Sequence, residues 1–281
     1  MGFIAYVALP LQQHLSQDYS QVILANDSTF LRVFLNENEQ WCLPTSLNAE
    51  IPENLKTAVL TYEDQYFAYH PGVNPYALIR ALYLNMKNGE VVSGGSTITM
   101  QVARMIRDKE RTLFQKLLEI LLALKLEARY SKEEVLTQYL THAPYGSNVR
   151  GYLAASYRFF NKNPTQLSWA EAATLAVLPN APGLIFPTKN DRALKIKRDQ
   201  LLRKLYSNKT IDQETYELSL IEPVPNFIYS FPLAAPHLTE FIHQTNQLNV
   251  VKTTIDPNIQ YETDFFVKQH SARMQQMGIR N

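Results

Sequence analysis

Short runs of alternating apolar and polar residues occur between about residues 21 and 41. The segment VIL at 22–24 and the segment FLRVFL at 30–35 are separated by Asn26-Asp27-Ser28. Alternation bounded by Asn and Asp residues is typical of a β-hairpin. Much later, VVKTTI at 250–255 has the same character. We therefore predict a small β element from the N-terminal hairpin and a late strand.

From Ser46 onward, apolar residues recur at the three- and four-residue spacing of helices. Residues 53–67 follow Pro52 with this spacing, and residues 75–88 form a second such segment that ends at Gly89. Residues 112–130 are apolar on most faces, which predicts a central buried helix. Two capping boxes predict further helix starts, Ser131 with Glu134 and Ser168 with Glu171. The pattern therefore predicts a mainly α fold.

Composition limits the function classes. The 281 residues are 46% hydrophobic and 19% charged, which suits one good-sized globular domain or two modest ones. The formal net charge of +1 argues against a nucleic-acid-binding protein. The single Cys42 excludes an intramolecular disulfide and a multi-cysteine metal site.

The ends of the chain differ from its middle. Residues 1–10, MGFIAYVALP, are too short for a bilayer span of about 20 residues, and they suit either a trimmed membrane-anchor stub or an apolar strand. A proline-rich stretch at 222–236 indicates a boundary. We predict four segments: 1–10, the hairpin and linker at 11–45, a main domain at 46–215, and a linker at 216–281.

Two acidic positions are candidates for chemistry. Glu63 and Asp64 fall in the last turn of a predicted helix, where the helix dipole disfavours acids; a functional site and a solvated acidic turn both remain open. Glu119 lies in a helix with almost no polar face, three residues after Lys116. A carboxylate there must be paired or line a polar cleft. A simple surface pair of Lys116 and Glu119 is the alternative.

Basic residues lie between these two acidic positions. Arg104, Arg107 and Arg111 are spaced to share one helix face, with Lys116 following. Such a stripe suits a pyrophosphate, although a solvated basic face fits the spacing as well. The turn at 94–97, Gly-Gly-Ser-Thr, offers backbone N–H groups to the same anion but lacks the lysine of a phosphate-binding loop. No second histidine or cysteine stands near His70 at a zinc-ligand spacing, which favours a structural hydrogen bond there.

In the order EDQYFAYHPG, GGSTITMQVAR, the helix with Lys116 and Glu119, and YSKEEVLTQYLTHAPYGSNVRG, these segments resemble the motifs of family 51 glycosyltransferases. These are the peptidoglycan polymerases of class A penicillin-binding proteins. The resemblance covers about residues 46–215. GVNPYALIRAL, Met100 and APYG are most similar to the 1C type within that family.

The resemblance implies a two-lobed, lysozyme-like helical domain that joins lipid II units into β-1,4-linked glycan by an inverting displacement. Glu63 would be the general base, and Glu119 would organise the donor side. Asp64, Phe67, His70 and Gly72 would form the frame around Glu63. The implied substrate-binding residues are Asp64, Phe67, His70, Gly94, Gly95, Ser96, Thr97, Gln101, Arg104, Arg111 and Lys116.

The resemblance also implies the surroundings of the reaction. No cofactor or metal site is required, although a divalent cation, Mg²⁺ or Mn²⁺, is compatible with a pyrophosphate substrate. Expected partners are lipid II, the growing glycan strand, a membrane surface and cell-wall synthesis proteins, with no nucleic acid, and moenomycin is the expected inhibitor. The expected location is the periplasmic face of the inner membrane. A lysozyme-like glycan-cleaving enzyme and a non-catalytic lipid II-binding or synthase-binding scaffold are the alternatives.

The chain departs from the family pattern at two positions. Gln115 stands where an arginine commonly precedes the motif lysine, and Thr141 replaces the usual asparagine of a Tyr-Leu-Asn triplet. Residues 216–281 would lead toward a transpeptidase domain, whose motif set of Ser-x-x-Lys, Ser-x-Asn and Lys-Thr-Gly does not occur as a set in the sequence.

Overall fold

The computed structural model describes residues 18–47, 50–89, 94–107, 112–180, 183 and 187–279. Two compact units divide the chain. The first, here called the helical unit, contains the described residues between 50 and 228. The second, the sheet unit, combines the described residues up to 47 with those from 229 onward. The predicted anchor stub at 1–10 lies outside the described residues.

The described helices and strands follow one another in this order. They are β1 (Val22–Leu24), β2 (Phe30–Val33), β3 (Trp41–Cys42), α1 (Glu53–Glu63), α2 (Pro75–Asn88), α3 (Ile98–Arg107), α4 (Leu113–Glu127), α5 (Lys132–His142), β4 (Pro144–Gly146), β5 (Val149–Arg150), α6 (Tyr152–Phe160), α7 (Trp169–Val177), α8 (Asp191–Ser207), α9 (Gln213–Ile221), α10 (Pro236–Thr245), β6 (Val250–Lys252) and α11 (Pro257–Gln276). The mainly helical class predicted from the sequence is confirmed.

The sheet unit is built around β1, which lies between β2 and β6. β1 runs antiparallel to β2 and parallel to β6, so that Val22 is opposite both Val33 and Val250. The connecting turn is held by Asp27, whose carboxylate accepts a hydrogen bond from the backbone N–H of Thr29 at 2.9 Å. The predicted hairpin and the predicted late strand are both confirmed.

In the helical unit, α7 packs against α1 and α8, while α3 packs against α4 and α5. Ala172, Ala173 and Ala176 of α7 are fully buried, because a small side chain lets neighbouring helices approach closely. α4 was predicted to be a central buried helix, but this holds only for its second half. Leu117 in its first half is 53% exposed.

Local sequence sets the helix ends that lead to the site. The capping boxes of Ser131 with Glu134 and of Ser168 with Glu171 are both formed, as predicted. Gly89 ends α2 at a φ of 70°, a left-handed conformation that glycine adopts without strain.

Candidate active site

The first wall of the site is the C-terminal end of α1. The helix buries Leu55, Ala58 and Val59 and ends at Glu63, because Asp64 leaves helical conformation at φ −157° and ψ 74°. Lys204 donates from Nζ to the carbonyl oxygen of Thr61 at 2.7 Å. A cation is favoured at a helix C-terminus, where carbonyl groups lack partners within the helix. Lys204 therefore stabilises the end of the helix that presents Glu63.

The Glu63 carboxylate is half-buried and has only one direct hydrogen bond among the described residues. Its Oε2 accepts from Nε2 of Gln101 at 2.7 Å, while its Oε1 is buried without a partner there. Arg104 is oriented by Gln101, to whose Oε1 it donates from Nη2 at 3.5 Å. Burial raises the pKa of Glu63, and the opposing effects of Gln101 and Arg104 are smaller. A carboxyl group with a raised pKa is suited to exchanging a proton near neutral pH.

Asp64, the residue after Glu63, is buried. Its two carboxylate oxygens each lie 3.0 Å from Nε2 of His70, and its Oδ2 accepts from the backbone N–H of Ile98 at 3.1 Å. Ile98 is the first residue of α3, where backbone N–H groups lack partners and favour an anion. Asp64 thus ties the end of α1 to the start of α3. This is the role of a frame residue; its predicted contact with substrate stays a prediction.

The loop after Glu63 is fastened by two residues that the sequence reasoning did not single out. Lys132 donates from Nζ to the carbonyl oxygen of His70 at 2.6 Å and to Oε1 of Glu127 at 2.8 Å. The same ammonium lies 4.5 Å from the centre of the buried Phe67 ring, a cation–π contact. Glu127 also accepts from the hydroxyl of Thr99 at 2.6 Å. The sequence explains residues 131–134 only as the capping box that starts a helix. The contacts of Lys132 with the loop could be found only from the tertiary structure.

Gly72 shows why the loop needs glycine. Its φ is 85°, and an added Cβ would lie 2.8 Å from the carbonyl oxygen of Ala123 and 2.7 Å from Cγ of Glu127. The loop therefore passes too close to α4 for any side chain.

The predicted Gly-Gly-Ser-Thr turn forms the start of α3. Thr97 holds this turn in place. Its hydroxyl donates to the carbonyl oxygen of Gly72 at 2.6 Å and accepts from the N–H of Met100 at 3.1 Å. A Cβ on Gly95 would lie 3.0 Å from the carbonyl oxygen of Ala77. Gly94 has open space at the corresponding position. Thr97 and Gly95 therefore have structural reasons for their identity, and binding of substrate by either stays a prediction.

The second wall is formed by Glu119, Lys116 and Ser96. Glu119 is 7% exposed, and its Oε2 accepts from Nζ of Lys116 at 3.0 Å. Lys116 also donates to the hydroxyl oxygen of Ser96 at 2.6 Å. The structure thus joins the buried acid of α4 to the turn before α3. The Lys116–Glu119 pair is therefore formed, but the Glu119 side chain is buried, so it is not a simple surface pair.

Of the predicted arginine stripe, Arg104 and Arg107 share one side of α3, while Arg111 lies outside the described residues. Arg107 donates from Nε and Nη2 to Oε1 of Gln115, at 3.1 and 2.8 Å. These bonds join α3 to the first turn of α4. Within the described ranges, no group of three or more His, Cys, Asp or Glu side chains is placed to hold a metal ion.

A profile of the Transglycosylase family matches residues 28–206. The chain belongs to this transglycosylase family. Penicillin-binding protein 1C of Escherichia coli (strain K12) is 33% identical over 255 residues, which is 91% of this chain and 33% of that protein. Penicillin-binding protein 1A of Aquifex aeolicus (strain VF5) is 38% identical over 177 residues, 62% of this chain and 24% of that protein. The transglycosylase chain therefore spans about a third or less of these curated relatives.

The crystal structure of penicillin-binding protein 1A from Haemophilus influenzae aligns over 88% of this chain and 28% of that one, at a TM-score of 0.40 and 19% identity. The resemblance to class A penicillin-binding proteins predicted from the motifs is confirmed by the family match and the sequence relatives. The mainly helical architecture with small sheets agrees with the lysozyme-like domain which that resemblance implies. No helix in the described parts of the transglycosylase combines the length and apolarity needed to cross a bilayer.

The structure describes the surroundings of Gln115 and Thr141, the two residues of this transglycosylase that depart from the family motifs. The side chain of Gln115 accepts the two hydrogen bonds from Arg107 described above. Thr141 is 4% exposed, and its hydroxyl is buried without a partner among the described residues. Its backbone carbonyl lies against Gly151, at a φ of 80°, where an added Cβ would clash with it.

Proposed function

We propose that this transglycosylase is a peptidoglycan glycosyltransferase that polymerises lipid II into β-1,4-linked glycan and releases undecaprenyl pyrophosphate. The observation that carries the proposal is the Glu63 carboxylate: half-buried, raised in pKa, held by one amide donor, and flanked by Arg104. An activated base beside a cation fits glycosyl transfer from a diphosphate donor. The family match and the relatives named above support the same reaction class.

In the proposed reaction, Glu63 takes the proton from the C4 hydroxyl of the acceptor sugar. Oε1 is buried, so the acceptor hydroxyl would reach the second lone pair of Oε2, the oxygen that Gln101 already holds. The hydroxyl oxygen then attacks the anomeric carbon of the donor as the bond to pyrophosphate breaks on the opposite face. An α-linked donor gives a β-linked product, and the proton ends on Glu63.

The donor side would neutralise the departing pyrophosphate. Lys116 and Arg104 supply the positive charge, and Glu119 holds Lys116 in place through the 3.0 Å contact. Ser96 keeps the same ammonium beside the turn before α3. Stabilising charge that grows in the transition state is a large catalytic effect when the groups are fixed in advance. A divalent cation, Mg²⁺ or Mn²⁺, stays a prediction for this site.

A glycan-cleaving activity is the second candidate, because a glutamic acid with a raised pKa also suits protonation of a glycosidic oxygen. The two functions differ in the role that they give to Lys116 and its partners Glu119 and Ser96. Cleavage of a neutral glycan gains nothing from a cation directed at pyrophosphate, so Lys116→Met would leave cleavage intact and lower polymerisation about a hundredfold.

A membrane surface is the proposed location of the reaction, at the periplasmic face of the inner membrane. Four large apolar side chains of α2 are strongly exposed and share one face by their spacing: Tyr76 at 71%, Ile79 at 68%, Tyr83 at 62% and Met86 at 75%. An apolar helix face of this kind binds by burying its side chains at the lipid boundary. Cell-wall synthesis proteins remain proposed partners.

The membrane proposal is tested by flotation with vesicles that contain anionic phospholipid. Ile79→Asp should reduce the bound fraction severalfold, since a carboxylate resists burial in the interface. The matched control is Ile221→Asp on α9, because Ile221 is 79% exposed in the same unit. Equal binding by both variants would exclude α2 as the contact face.

The catalytic proposal is tested with labelled lipid II and gel separation of glycan products, with and without moenomycin. The parent chain should form moenomycin-sensitive polymer, and Glu63→Gln should form it at least about a hundredfold more slowly. Glu53→Gln at the other end of α1 is the control, since the Glu53 side chain is 82% exposed and is paired with Lys56. Release of fragments from purified sacculi, with no polymer from lipid II, would favour the cleaving enzyme. Binding of lipid II without either product would favour a scaffold.

A further inference from the structure

Lys132, the first residue of α5, has three neighbours that account for the three N–H groups of its ammonium. It donates to the carbonyl oxygen of His70 at 2.6 Å and to Oε1 of Glu127 at 2.8 Å. The third neighbour is the ring of Phe67, whose centre lies 4.5 Å from Nζ. A lysine ammonium has three donors and no acceptor. Lys132 therefore has no donor left for a phosphate group.

Lys116, the lysine of the proposed donor side, differs in this respect. Among the described residues it donates to the hydroxyl oxygen of Ser96 and to Glu119, which leaves one N–H group for a ligand. The two lysine side chains are similarly exposed, at 33% for Lys116 and 30% for Lys132. They differ in their partners and not in their access to solvent. Lys116 is thus suited to binding a phosphate, whereas Lys132 is occupied by the protein.

The contacts of Lys132 lead to Glu63 through the loop between His70 and α1. Nε2 of His70 lies 3.0 Å from each carboxylate oxygen of Asp64, the residue that follows Glu63. The His70 carbonyl oxygen also accepts from the N–H of Gly72 at 3.0 Å, but that bond lies within the loop and moves with it. The bond from Lys132 instead ties the backbone of His70 to α5.

Glu127, the last residue of α4, holds the ammonium in place and joins another helix to it. Its side chain is 9% exposed, and the oxygen that accepts from Lys132 also accepts from the hydroxyl of Thr99 on α3 at 2.6 Å. A buried carboxylate needs such partners, because an unpaired one is costly. The ammonium and the carboxylate therefore connect α3, α4, α5 and the loop after Glu63 at one point.

We propose that Lys132 is a positioning residue for Glu63, because it fixes the loop that follows the carboxylate and so keeps that carboxylate oriented toward the acceptor sugar. The inference rests on the proposed function, in which Glu63 is the base. A base must lie within hydrogen-bonding reach of the proton that it takes, and a displacement of about 1 Å can lower a rate about a hundredfold. Lys132 does not contact the substrate in this role. Its loss should therefore lower kcat and not raise KM.

The first test is Lys132→Met in the full chain, assayed in detergent with labelled lipid II. Methionine keeps the apolar part of the side chain and removes the ammonium. We expect kcat to fall about thirtyfold, with KM within about twofold of the parent value. Lys116→Met should instead raise KM, since Lys116 has a donor for the pyrophosphate. Lys132→Arg should recover part of kcat, because a guanidinium can donate to the same two oxygens.

Loss of stability has to be separated from loss of position, since Lys132→Met leaves Glu127 buried without its cation. The double variant Lys132→Met/Glu127→Gln removes that charge, and the amide oxygen can still accept from Thr99. Its melting temperature should recover most of what the single variant loses. Its kcat should stay at least about tenfold below that of the parent. If the single variant does not fold, the double variant is compared directly with the parent.

Recovery of kcat together with the melting temperature would overturn the inference, because the lysine would then serve stability alone. A raised KM with unchanged kcat would also overturn it, since that result indicates contact with substrate. The matched control is Lys162→Met/Glu171→Gln, which removes another lysine pair with a mostly buried acid, at 2.7 Å. This control should keep the parent kcat, because glutamine also serves in a capping box.

Hydrogen exchange measured by mass spectrometry tests the loop without turnover. The amides of residues 64–72, such as the N–H of Phe67 that donates to the carbonyl oxygen of Asp64 at 3.0 Å, should exchange about tenfold faster in the double variant. The Lys162 control should match the parent. Unchanged exchange in the double variant would overturn the inference. If exchange rises while the parent makes no polymer, Lys132 still fixes the segment after Glu63, and the proposed function alone fails.

Discussion

Two glutamates of the helical unit are held in opposite ways. Glu119 is nearly buried, and its carboxylate meets the ammonium of Lys116, which Ser96 also contacts. Glu63 receives only an amide from Gln101, and its inner oxygen has no direct partner among the described residues. A carboxylate fixed to a cation is suited to holding charge in place. A carboxylate kept without such a contact is suited to accepting a proton.

The largest effects should come from removing Glu63, the acid that has no direct ion pair among the described residues. Glu63→Gln should lower kcat by 10² to 10⁴, the usual range for losing a general base, measured on labelled lipid II. It should also stabilise the fold at neutral pH. The raised pKa of Glu63 means that the stability present below the ordinary value of 4.5 is lost as pH rises through the higher folded value. A variant that melts below the parent at pH 7 would contradict this.

The paired acid should respond in the opposite direction. Lys116→Met leaves Glu119 buried without its cation, so the free energy of unfolding should fall by about 2 kcal/mol in urea titrations. Polymerisation should also fall, by about a hundredfold, through weaker pyrophosphate binding. The matched control is Lys56→Met, which breaks a pair with the 82% exposed side chain of Glu53 and should change stability by less than about 0.5 kcal/mol. Similar losses in both variants would remove the contrast.

The pH dependence of the free energy of unfolding can test the environment of Glu63, provided that the titration of His142 is first removed. Burial lowers the pKa of His142 from 6.5 to about 4. Stability from this neutral histidine is present above pH 6.5 and is lost as pH falls toward 4, up to about 3 kcal/mol. The contribution of Glu63 has the opposite slope. Melting curves of His142→Gln should therefore show the Glu63 slope more clearly than those of the parent.

The smallest effect should come from Ser96, whose hydroxyl accepts a hydrogen bond from the lysine of the paired acid. Ser96→Ala removes one hydrogen bond to Lys116 and leaves the contact with Glu119. We expect a loss of about 1 kcal/mol in stability, and kcat/KM for lipid II should fall about fivefold. Ser207→Ala is a control, because that exposed hydroxyl donates to the backbone of its own helix at Arg203. A loss as large as that of Lys116→Met would make Ser96 the main organiser of this wall.

Local signals in the sequence were sufficient for much of the fold. The hairpin turn at Asp27, the capping box at Ser131 and the glycine at position 89 each act within a few residues, and all three predictions are confirmed. The exposed first half of α4 was missed because apolar composition alone does not show which side faces the protein. A leucine such as Leu117 contributes the same apolar signal to the sequence whether its side chain is buried or exposed.

The candidate site was predictable as a set of residues but not as a set of contacts. Motif resemblance pointed to Glu63, Lys116 and Glu119 together. It did not show that Asp64 accepts from the N–H of Ile98, because that bond joins segments 34 residues apart. Tyr139 and Tyr145 lie in segments that carried the resemblance, yet no role followed for either, since buried tyrosine is ordinary in a core.

The parallel pairing of β1 with β6 has a consequence for synthesis of the chain. Val22 is made early, yet its partner Val250 leaves the ribosome only after every described residue of the helical unit has been made. Contacts so distant in sequence form late, because closing a long loop carries a large entropic penalty. During translation, β1 and β2 therefore wait with an unpaired strand edge while the helical unit can already fold. The β1 edge is therefore open to wrong strand partners until β6 has been made.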